Sequence, residues 1–399
     1  MISSDPLENL VQLIKCPSVT PQNGGALSVL TNILKPLGFT IEKQIAQQDG
    51  TADVENLYAR FGKKSPHFMF AGHIDVVPPG NLEDWRHPPF SATIEEGKIY
   101  GRGAVDMKGN IACFIAATSR FIQKYSDFGS ISLLITGDEE GPAINGTKKA
   151  LLWTTEKGES WDSCIVGEPT CRHVLGDTIK IGRRGSLSGH IIIHGTQGHV
   201  AYPHLANNPI HGLIPLLNEL TRVEFDAGNA DFPPTHLEVT TIDVGNVATN
   251  VIPGHVKLCF NIRFNNLWTE EKLISEIRSR TNKGLQRICQ NTNHKEPSYT
   301  LHFTSPSSPV FLTQNEILVS SLSESINKIT GKAPESSTSG GTSDARFIKN
   351  YCPVIEFGLV GKTMHAINEN TEITDLEALT CIYERFLKNW FTKNSDLKN

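Results

Sequence analysis

Hydrophobic positions in the first 180 residues change repeatedly between helical spacing and short unbroken runs. The predicted helices, in chain order, cover 7–14, 26–37, 109–125 and 147–153. The predicted strands cover 56–61, 67–71, 130–136 and 163–167. Because strands separated by helices are typical of crossover connections, this part of the chain predicts a mostly parallel sheet with helices on both faces.

The pattern changes near residue 185. Strand, helix, strand, strand, helix and strand then follow, at 188–194, 209–222, 237–244, 256–264, 270–288 and 299–303. This β-α-β-β-α-β order is typical of a ferredoxin-like module. Alternation of helix and strand resumes at 316–329, 354–357 and 375–388. We therefore expect an α/β domain built from residues 1–183 and 305–399, interrupted by an inserted α+β module at 184–304.

The composition is that of an ordinary globular chain. Of 399 residues, 38% are hydrophobic and 20% are charged, which excludes a disordered or low-complexity chain. The formal net charge of −5 argues against nucleic acid or an anionic membrane as the main partner. No apolar run reaches the roughly 18 residues of a membrane span, and residues 1–5 lack the features of a secretory signal. We expect a cytoplasmic protein whose eight scattered cysteines are reduced.

Potential metal ligands stand just past the ends of the predicted strands. His73 follows the strand at 67–71, and Asp75 lies two residues further on, so both side chains project to the same side. A histidine that binds a metal usually gives its second ring N–H to a carboxylate, and Asp75 is placed to accept it. On its own, however, a His-x-Asp pair is explained as well by a surface turn.

Acidic residues follow other strands. Asp138, Glu139 and Glu140 come one residue after the strand at 130–136, and Glu168 follows the strand at 163–167. Adjacent carboxylates at the end of a buried strand repel one another, so a neutralising cation explains them better than a solvated charge run.

Two more candidates complete the set. Asp106 precedes a predicted helix, where it is also explained as an N-cap, and His365 follows the strand at 354–357. Open α/β sheets bind ligands at the carboxyl ends of their strands, so the candidates are expected to converge. Imidazole and carboxylate ligands suit zinc, cobalt or manganese. The set is too large for one catalytic zinc and fits two metals that share a bridging carboxylate.

Three segments carry a resemblance to a known family, namely GRRGSL at 182–187, GHVAYPHLA at 198–206 and STSGGTSD at 337–344. With the candidate ligands, they make nearly the whole chain similar to the co-catalytic di-zinc amidohydrolases. That family includes aminoacylases, acetylornithine deacetylases and carboxypeptidase-like enzymes. Within it, the three segments resemble the branch that removes succinate from N-succinyl-LL-2,6-diaminopimelate more than they resemble the deacetylases.

The resemblance implies a fold, a metal pair and residue roles. The fold would be a mostly parallel-sheet di-zinc catalytic domain with an inserted ferredoxin-like module that serves as a lid and for dimerisation. Two Zn²⁺ per subunit, replaceable by Co²⁺, would be held by His73 and Glu168, by Glu140 and His365, and by a bridging Asp106. Asp75 would support His73, and Glu139 would act as general acid and base.

The resemblance also implies how the substrate is bound. Arg183 and Thr342 would contact the carboxylates of a small substrate, which would be cleaved into succinate and LL-2,6-diaminopimelate on the route to lysine. The inserted module would form a homodimer and carry His199, Tyr202 and Asn250 towards the neighbouring active site. One position departs from the pattern, because Gly361 stands where many relatives have an asparagine. Gly361 cannot make a substrate contact through a side-chain amide.

Other interpretations stay open at this point. Without the resemblance, Arg183 is explained as part of a solvated turn, and His199 as a loop residue with equal support for a structural and a functional role. An acetylornithine deacetylase or a dipeptidase would use the same metal ligands. A catalytically inactive homologue acting as a dimeric binding protein would also have this fold, although it would be expected to lack a ligand or the base.

Overall fold

The computed structural model describes residues 4–222, 224–291, 298–304 and 307–396, with the backbone alone described at 288–291 and 396. The helices are α1 (Pro6–Ile14), α2 (Ala26–Leu34), α3 (Lys108–Lys124), α4 (Thr147–Glu156), α5 (Pro209–Thr221), α6 (Glu270–Asn291), α7 (Glu316–Thr330), α8 (Ala345–Ile348) and α9 (Ile373–Asp396). The strands are β1 (Thr40–Ala46), β2 (Val54–Phe61), β3 (His67–His73), β4 (Thr93–Glu95), β5 (Lys98–Tyr100), β6 (Ser130–Thr136), β7 (Ser163–Val166), β8 (Thr178–Lys180), β9 (Gly182–Arg183), β10 (Gly185–His194), β11 (Gly198–His199), β12 (His236–Asp243), β13 (Val251–Ile252), β14 (His255–Phe264), β15 (Ser298–Phe303), β16 (Phe311–Leu312), β17 (Glu335–Ser337), β18 (Val354–Glu356) and β19 (Asn370–Glu372).

The chain divides into two compact units. Unit 1 comprises Met1–Ile181, Leu312–Ser337 and Ser343–Asn399, and unit 2 comprises Gly182–Phe311 and Thr338–Thr342. The sequence predicts an inserted module at 184–304. Its expected second boundary falls at 305, which lies outside the described residues.

Unit 1 is organised around an eight-stranded sheet in the order β1-β2-β6-β3-β7-β18-β8-β17. The pairs β6–β3, β3–β7, β7–β18 and β8–β17 are parallel, whereas β1–β2, β2–β6 and β18–β8 are antiparallel. Every residue of β3, β6 and β7 is buried, as expected for strands covered on both faces. The predicted mostly parallel sheet is confirmed.

Aromatic side chains join this sheet to the helices beside it. Phe68 and Phe70 project from the same face of β3. The ring of Phe70 stacks on Phe114 of α3 with 4.1 Å between centroids, and the ring of Phe68 lies 5.1 Å from that of Phe386 in α9. Such pairs contribute about 0.5–1.5 kcal/mol each beyond the burial of their area, so they fix β3 against α3 and α9.

The register of the parallel strands determines which loops become neighbours. His73 is paired with Thr136 at the last positions of β3 and β6, and Ala71 is paired with Val166, the last residue of β7. The segments that follow these three strands therefore leave the sheet at one edge. This edge contains six of the residues singled out in the sequence, namely His73, Asp75, Asp138, Glu139, Glu140 and Glu168.

Unit 2 contains a four-stranded antiparallel sheet in the order β12-β14-β10-β15. Buried and more exposed residues alternate along β10 and β14, and α5 and α6 contribute to the same hydrophobic core as the buried residues. The chain order β10-α5-β12-β14-α6-β15 confirms the predicted ferredoxin-like arrangement.

Two further expectations concern the whole chain. Across the residues with described placement, no helix has both the length and the apolar character needed to cross a membrane. The cysteines with described side chains are free thiols, at positions 16, 113, 164, 171, 259, 352 and 381. The side chain of Cys289 lies outside the described part of the structure.

Candidate metal centre

Three neighbouring parallel strands of unit 1 deliver side chains to one edge of the sheet. His73 is the last residue of β3, Glu139 and Glu140 follow β6, and Glu168 follows β7. Because the carboxyl ends of parallel strands lie together, residues about 100 positions apart become neighbours.

Two loops bring the remaining candidates to this edge. Asp106 lies between β5 and α3, and the Asp106–Met107 peptide bond is cis. His365 lies between β18 and β19 and has a φ of 60°, which is uncommon for a residue with a side chain.

The side chains form a continuous series of short contacts. His73 Nε2 lies 3.1 Å from Asp106 Oδ1, and Asp106 Oδ2 lies 3.2 Å from His365 Nε2. His365 Nε2 also lies 2.9 Å from Glu140 Oε1. Asp106 thus directs one carboxylate oxygen to each histidine, as a bridging ligand would.

The potential ligand atoms form two overlapping groups around Asp106. One group is His73, Asp106 and Glu168, and the other is Asp106, Glu140 and His365; within each, the atoms lie within 4.8 Å of one another. The five residues expected to be ligands are therefore brought together. A third group joins Glu139 and Glu140 to His73, and Glu139 belongs to neither of the first two.

The hydrogen bonding at this site is incomplete without a cation. His73 Nδ1 lies 2.9 Å from the main-chain carbonyl of Asp75, which can only accept, so Nδ1 carries a hydrogen. In neutral His73 the lone pair of Nε2 then faces the carboxylate of Asp106, which requires a proton or a metal ion between them. Glu168 Oε1 is buried and has no hydrogen-bond partner. These residues therefore fit a metal pair, and their nitrogen and oxygen donors suit zinc.

The raised pKa values at this site also indicate that more carboxyl groups are buried here than the nearby positive charges neutralise. Burial raises the pKa of Glu139 to about 8, with Asp344 and Asp106 adding to the rise and His73 opposing it. Burial also raises the pKa of Glu168 well above its usual value, and the charges of Asp106 and Glu139 raise it further. Clustered buried carboxylates are costly unless neutralised, and divalent cations would neutralise these.

Asp75 supports the site differently from the sequence expectation. Its carboxylate Oδ1 lies 3.6 Å from His73 Nδ1, beyond hydrogen-bonding distance, and its main-chain carbonyl accepts the ring N–H instead. The carboxylate accepts the backbone N–H groups of Glu139 at 3.3 Å and Glu140 at 3.1 Å. The reason is local: the histidine ring reaches the backbone two residues further on, which leaves the carboxylate free to hold the acidic loop.

Sequence reasoning missed two carboxylates at the site. Asp344 is buried, its Oδ1 has no hydrogen-bond partner, and its charge raises the pKa of Glu139. Glu369 is 0% exposed and accepts N–H groups from the loop that carries Asp106. The available signal for Glu369 was a carboxylate four residues after His365, in a short segment between strands.

Three of the expected substrate-binding residues lie together in unit 2. β11 pairs with β13, placing His199 opposite Val251, and the Val200 N–H donates to the Asn250 carbonyl at 3.1 Å. The rings of His199 and Tyr202 lie 5.6 Å apart, and Tyr202 is 56% exposed. These two loops of unit 2 thus present His199, Tyr202 and Asn250 on one exposed surface.

The other two expected residues also share one region of unit 2. Arg183 donates through its guanidinium to the carbonyl of Ser339 at 3.4 Å. Thr342 belongs to the same segment, Thr338–Thr342, and is partly buried.

The fold and the ligand groups fit a metal-dependent hydrolase. The family model described as Peptidase family M20/M25/M40 matches residues 69–389. The chain belongs to this family. The family-level resemblance is confirmed.

Solved structures with the same fold include two proteins described as members of the M20 family. The M20 family metallo-carboxypeptidase Sso-CP2 from Sulfolobus solfataricus is 20% identical, with 97% of this chain and 99% of that chain covered and a TM-score of 0.75. Aminopeptidase PepT from Bacillus cereus is 19% identical, with coverages of 98% and 99% and a TM-score of 0.77. The YXEP protein of Bacillus subtilis, a dinuclear metal-binding peptidase, is 15% identical, with 97% of each chain covered and a TM-score of 0.69.

Proposed function

We propose that this enzyme hydrolyses N-succinyl-LL-2,6-diaminopimelate to succinate and LL-2,6-diaminopimelate, in lysine biosynthesis. The observation that carries the hydrolytic assignment is the pair of ligand groups that share Asp106. The choice of substrate is supported by the resemblance of three segments, at 182–187, 198–206 and 337–344, to the desuccinylase branch.

In this proposal two Zn²⁺ ions bind at the edge of the sheet. His73 and Glu168 would hold one ion, Glu140 and His365 would hold the other, and Asp106 would be shared by both. When bound, such ions polarise a carbonyl oxygen and lower the pKa of water from 15.7 towards about 7. Co²⁺ prefers similar ligands and is expected to replace Zn²⁺.

Glu139 is the proposed general base and acid. It stands beside the ligand groups and outside the two that share Asp106, so its carboxylate is available for proton transfer. The carboxylate takes a proton from the attacking water as the C–O bond forms. It returns the proton to the leaving nitrogen as the C–N bond breaks, which gives a carboxylic acid and an amine. The acid then loses its proton and the amine gains one, so the products are a succinate carboxylate and an ammonium group. Proton transfer of this type contributes about 10²–10⁴-fold to a rate.

Substrate binding is proposed for unit 2. A substrate with several carboxylates favours Arg183, whose guanidinium pairs with carboxylates through two parallel hydrogen bonds. Thr342 would donate its hydroxyl to the same substrate. In a homodimer, His199, Tyr202 and Asn250 would reach the active site of the partner, with His199 donating to the oxygen that becomes negative during the reaction.

The departure at Gly361 has a local structural reason. A Cβ atom at this position would lie 2.9 Å from the carbonyl oxygen of Pro169, so a larger residue requires the backbone to move. The Gly361 N–H donates to the carbonyl of Cys171 at 2.9 Å, which holds the segment close. In this enzyme other groups must therefore supply any contact that an asparagine side chain makes in relatives.

A substrate comparison tests the proposal. The purified, zinc-loaded protein is given N-succinyl-LL-2,6-diaminopimelate, N-acetylornithine, a dipeptide and a tripeptide, and kcat/KM is measured for each. We expect kcat/KM to be highest for the succinyl substrate, with one succinate released per amine. Higher kcat/KM for N-acetylornithine or a peptide would overturn the substrate assignment and leave the hydrolase assignment intact.

Peptide hydrolysis is the second candidate, because structures with TM-scores of 0.75 and 0.77 are those of a carboxypeptidase and an aminopeptidase. The third interpretation, an inactive binding protein, would be favoured if the protein bound two metal ions and cleaved none of these substrates. Light scattering tests the proposed homodimer, and fractionation of the producing cells tests the proposed cytoplasmic location.

A further inference from the structure

We propose that Glu369 and Arg102 are positioning residues that hold Asp106 and His365 at the separation needed by a metal pair. The two side chains form an ion pair, with Arg102 Nη1 2.8 Å from Glu369 Oε2. The inference rests on the proposed function, because it concerns the ligands of the metal pair.

Glu369 gathers the loop that carries Asp106. Its Oε1 accepts the backbone N–H groups of Val105 at 2.8 Å and Asp106 at 3.1 Å. Its Oε2 accepts the N–H of Gly103 at 3.0 Å and the guanidinium of Arg102. The side chain is 0% exposed, so every one of these bonds is made away from water. A single carboxylate thus fixes three backbone amides, including that of the proposed bridging ligand.

Arg102 connects the same carboxylate to the segment that carries His365. Its Nη1 donates to the carbonyl of Ala366 at 3.1 Å, and its Nη2 donates to the carbonyl of His365 at 3.4 Å. The guanidinium carbon lies 5.2 Å from the ring centroid of Trp85, which packs against it. The backbone of His365, with its uncommon φ of 60°, is therefore held by the partner of Glu369.

The ion pair joins two chain segments that meet at the metal centre. The Gly101 N–H also donates to the main-chain carbonyl of Glu369 at 2.9 Å. Asp106 and His365, whose side chains approach to 3.2 Å, thus have backbones bound to one shared network. Metal ligands must be held to within about 0.5 Å of their productive positions, and buried networks around the ligands provide this precision.

The proposed contribution is geometric. The charge of Glu369 is offset by Arg102 at 2.8 Å, so the pair adds little net field at the metals. If the pair served only the stability of the fold, substituting either residue would lower the free energy of unfolding. Metal affinity would then be unchanged in protein that remains folded. Metal affinity and metal stoichiometry therefore distinguish the two roles.

Glu369→Gln is the first test variant. Glutamine keeps the volume of the side chain but turns one acceptor oxygen into an NH₂ group that faces backbone donors. Affinity for Zn²⁺ is measured by competition with a chelating dye, on protein shown to be folded by circular dichroism. We expect affinity to fall by about 10–100-fold, the usual effect of losing a group that orients a ligand. Hydrogen exchange in the metal-free protein should be faster at the amides of Gly103, Val105 and Asp106.

Arg102→Lys is the second test variant. It tests the positioning role of the ion pair even if Glu369→Gln does not fold. Lysine keeps the positive charge and loses the fork that reaches the carbonyls of Ala366 and His365. We expect the Zn²⁺ ion held by Glu140 and His365 to be weakened more than the ion held by His73 and Glu168. The two steps are resolved by titrating metal-free protein with Zn²⁺.

Glu159→Gln is the matched control. Glu159 accepts from Arg60 at 2.6 Å and lies near His67, at the opposite end of β3 and roughly 20 Å along the strand from His73. The Glu159→Gln substitution should lower the free energy of unfolding without changing the affinity for Zn²⁺. Unchanged affinity in both folded test variants would overturn the inference while the proposed function stood. A wild-type protein that bound no divalent ion would instead overturn the proposed function, and this inference with it.

Discussion

His73 Nε2 and Asp106 Oδ1 lie 3.1 Å apart. Because His73 Nδ1–H donates a hydrogen bond to the main-chain carbonyl of Asp75, both atoms of this contact are acceptors when the histidine is neutral. In the metal-free protein a proton must occupy this contact. Burial lowers the pKa of His73, but the hydrogen bond and charge of Asp106 more than reverse the effect and raise it well above its usual value. A metal ion and this proton therefore compete for the same position.

Metal binding should accordingly release protons. Hydrogen bonds with Asp106 and Glu140 raise the pKa of His365 to about 10, so at pH 7 both histidines are protonated when no metal is present. Because each metal must displace a proton, affinity should increase as the pH rises from 6 to 9. Calorimetric titrations in buffers of different ionisation enthalpy measure the number of protons released. A pH-independent affinity with no proton release would contradict this assignment.

Removing the shared ligand should have a larger effect than removing an unshared one. Asp106 belongs to both ligand groups, whereas Glu168 belongs to one of them. We expect Asp106→Asn to abolish binding of both ions and Glu168→Gln to retain one ion per chain. Elemental analysis of protein dialysed against metal-free buffer gives the stoichiometry. Equal metal content in the two variants would argue against Asp106 as the bridge.

Changing the proposed base should separate metal binding from turnover. Glu139→Gln removes the group that transfers the proton and leaves the groups that share Asp106 intact. We expect kcat to fall by about 10²–10⁴-fold, with two metal ions still bound. Asp138→Asn, in the same loop, serves as the comparison because its carboxylate accepts local backbone N–H groups. Near-normal kcat in Glu139→Gln would exclude the proposed role.

A glycine next to the metal centre should be intolerant of any side chain. A Cβ atom at Gly358 would lie 2.3 Å from Asn110 Oδ1 and 2.5 Å from the Glu168 carbonyl oxygen. Gly358→Ala should therefore displace the backbone of Glu168, lower the free energy of unfolding by about 1–3 kcal/mol and weaken metal binding. Gly254→Ala, where the nearest atom would be 3.7 Å away, is the control for denaturation and metal titration. Similar behaviour of the two variants would refute the steric argument.

Acid should destabilise unit 1 through a histidine remote from the metals. Burial, with a smaller effect of Arg60, lowers the pKa of His67 from 6.5 to about 4. Protonation then favours the unfolded state, so stability is complete above pH 6.5 and falls as the pH drops towards 4. The loss is at most about 3 kcal/mol, at 1.36 kcal/mol per pH unit.

Urea denaturation of metal-free protein between pH 7.5 and 4.5 measures this loss. His67→Gln keeps a polar atom near Ser132, to which the ring nitrogen is hydrogen-bonded at 3.0 Å, and removes the titration. The difference in unfolding free energy between wild type and variant should therefore depend on pH. A constant difference across the range would show that His67 does not titrate as described.

The parts of the fold that were predictable are those with a local hydrophobic signal. Apolar runs indicated β2, β3, β6 and β7, and the rule for parallel strand ends then brought together His73, Glu140 and Glu168. The edge strand β1 was missed because most of its residues are exposed or half-buried, which leaves little apolar pattern to recognise.

The missed parts of the site depend on contacts between distant residues. Arg102 and Glu369 are 267 positions apart, and neither lies in a periodic pattern that predicts burial of a charge. The contact of His73 with the carbonyl of Asp75, in place of its carboxylate, depends on backbone geometry at one turn. Residue types alone do not encode either relationship.

The position of β18 between β7 and β8 has a consequence for biosynthesis. Until residues 354–356 leave the ribosome, β7 and β8 each have an unpaired side, and unpaired strands are prone to pairing with other chains. Unit 2 is almost continuous in the chain and has all its strands earlier. The unit that is translated first is therefore the last to be finished, and its open strand edges remain exposed while unit 2 and the residues up to 356 are translated.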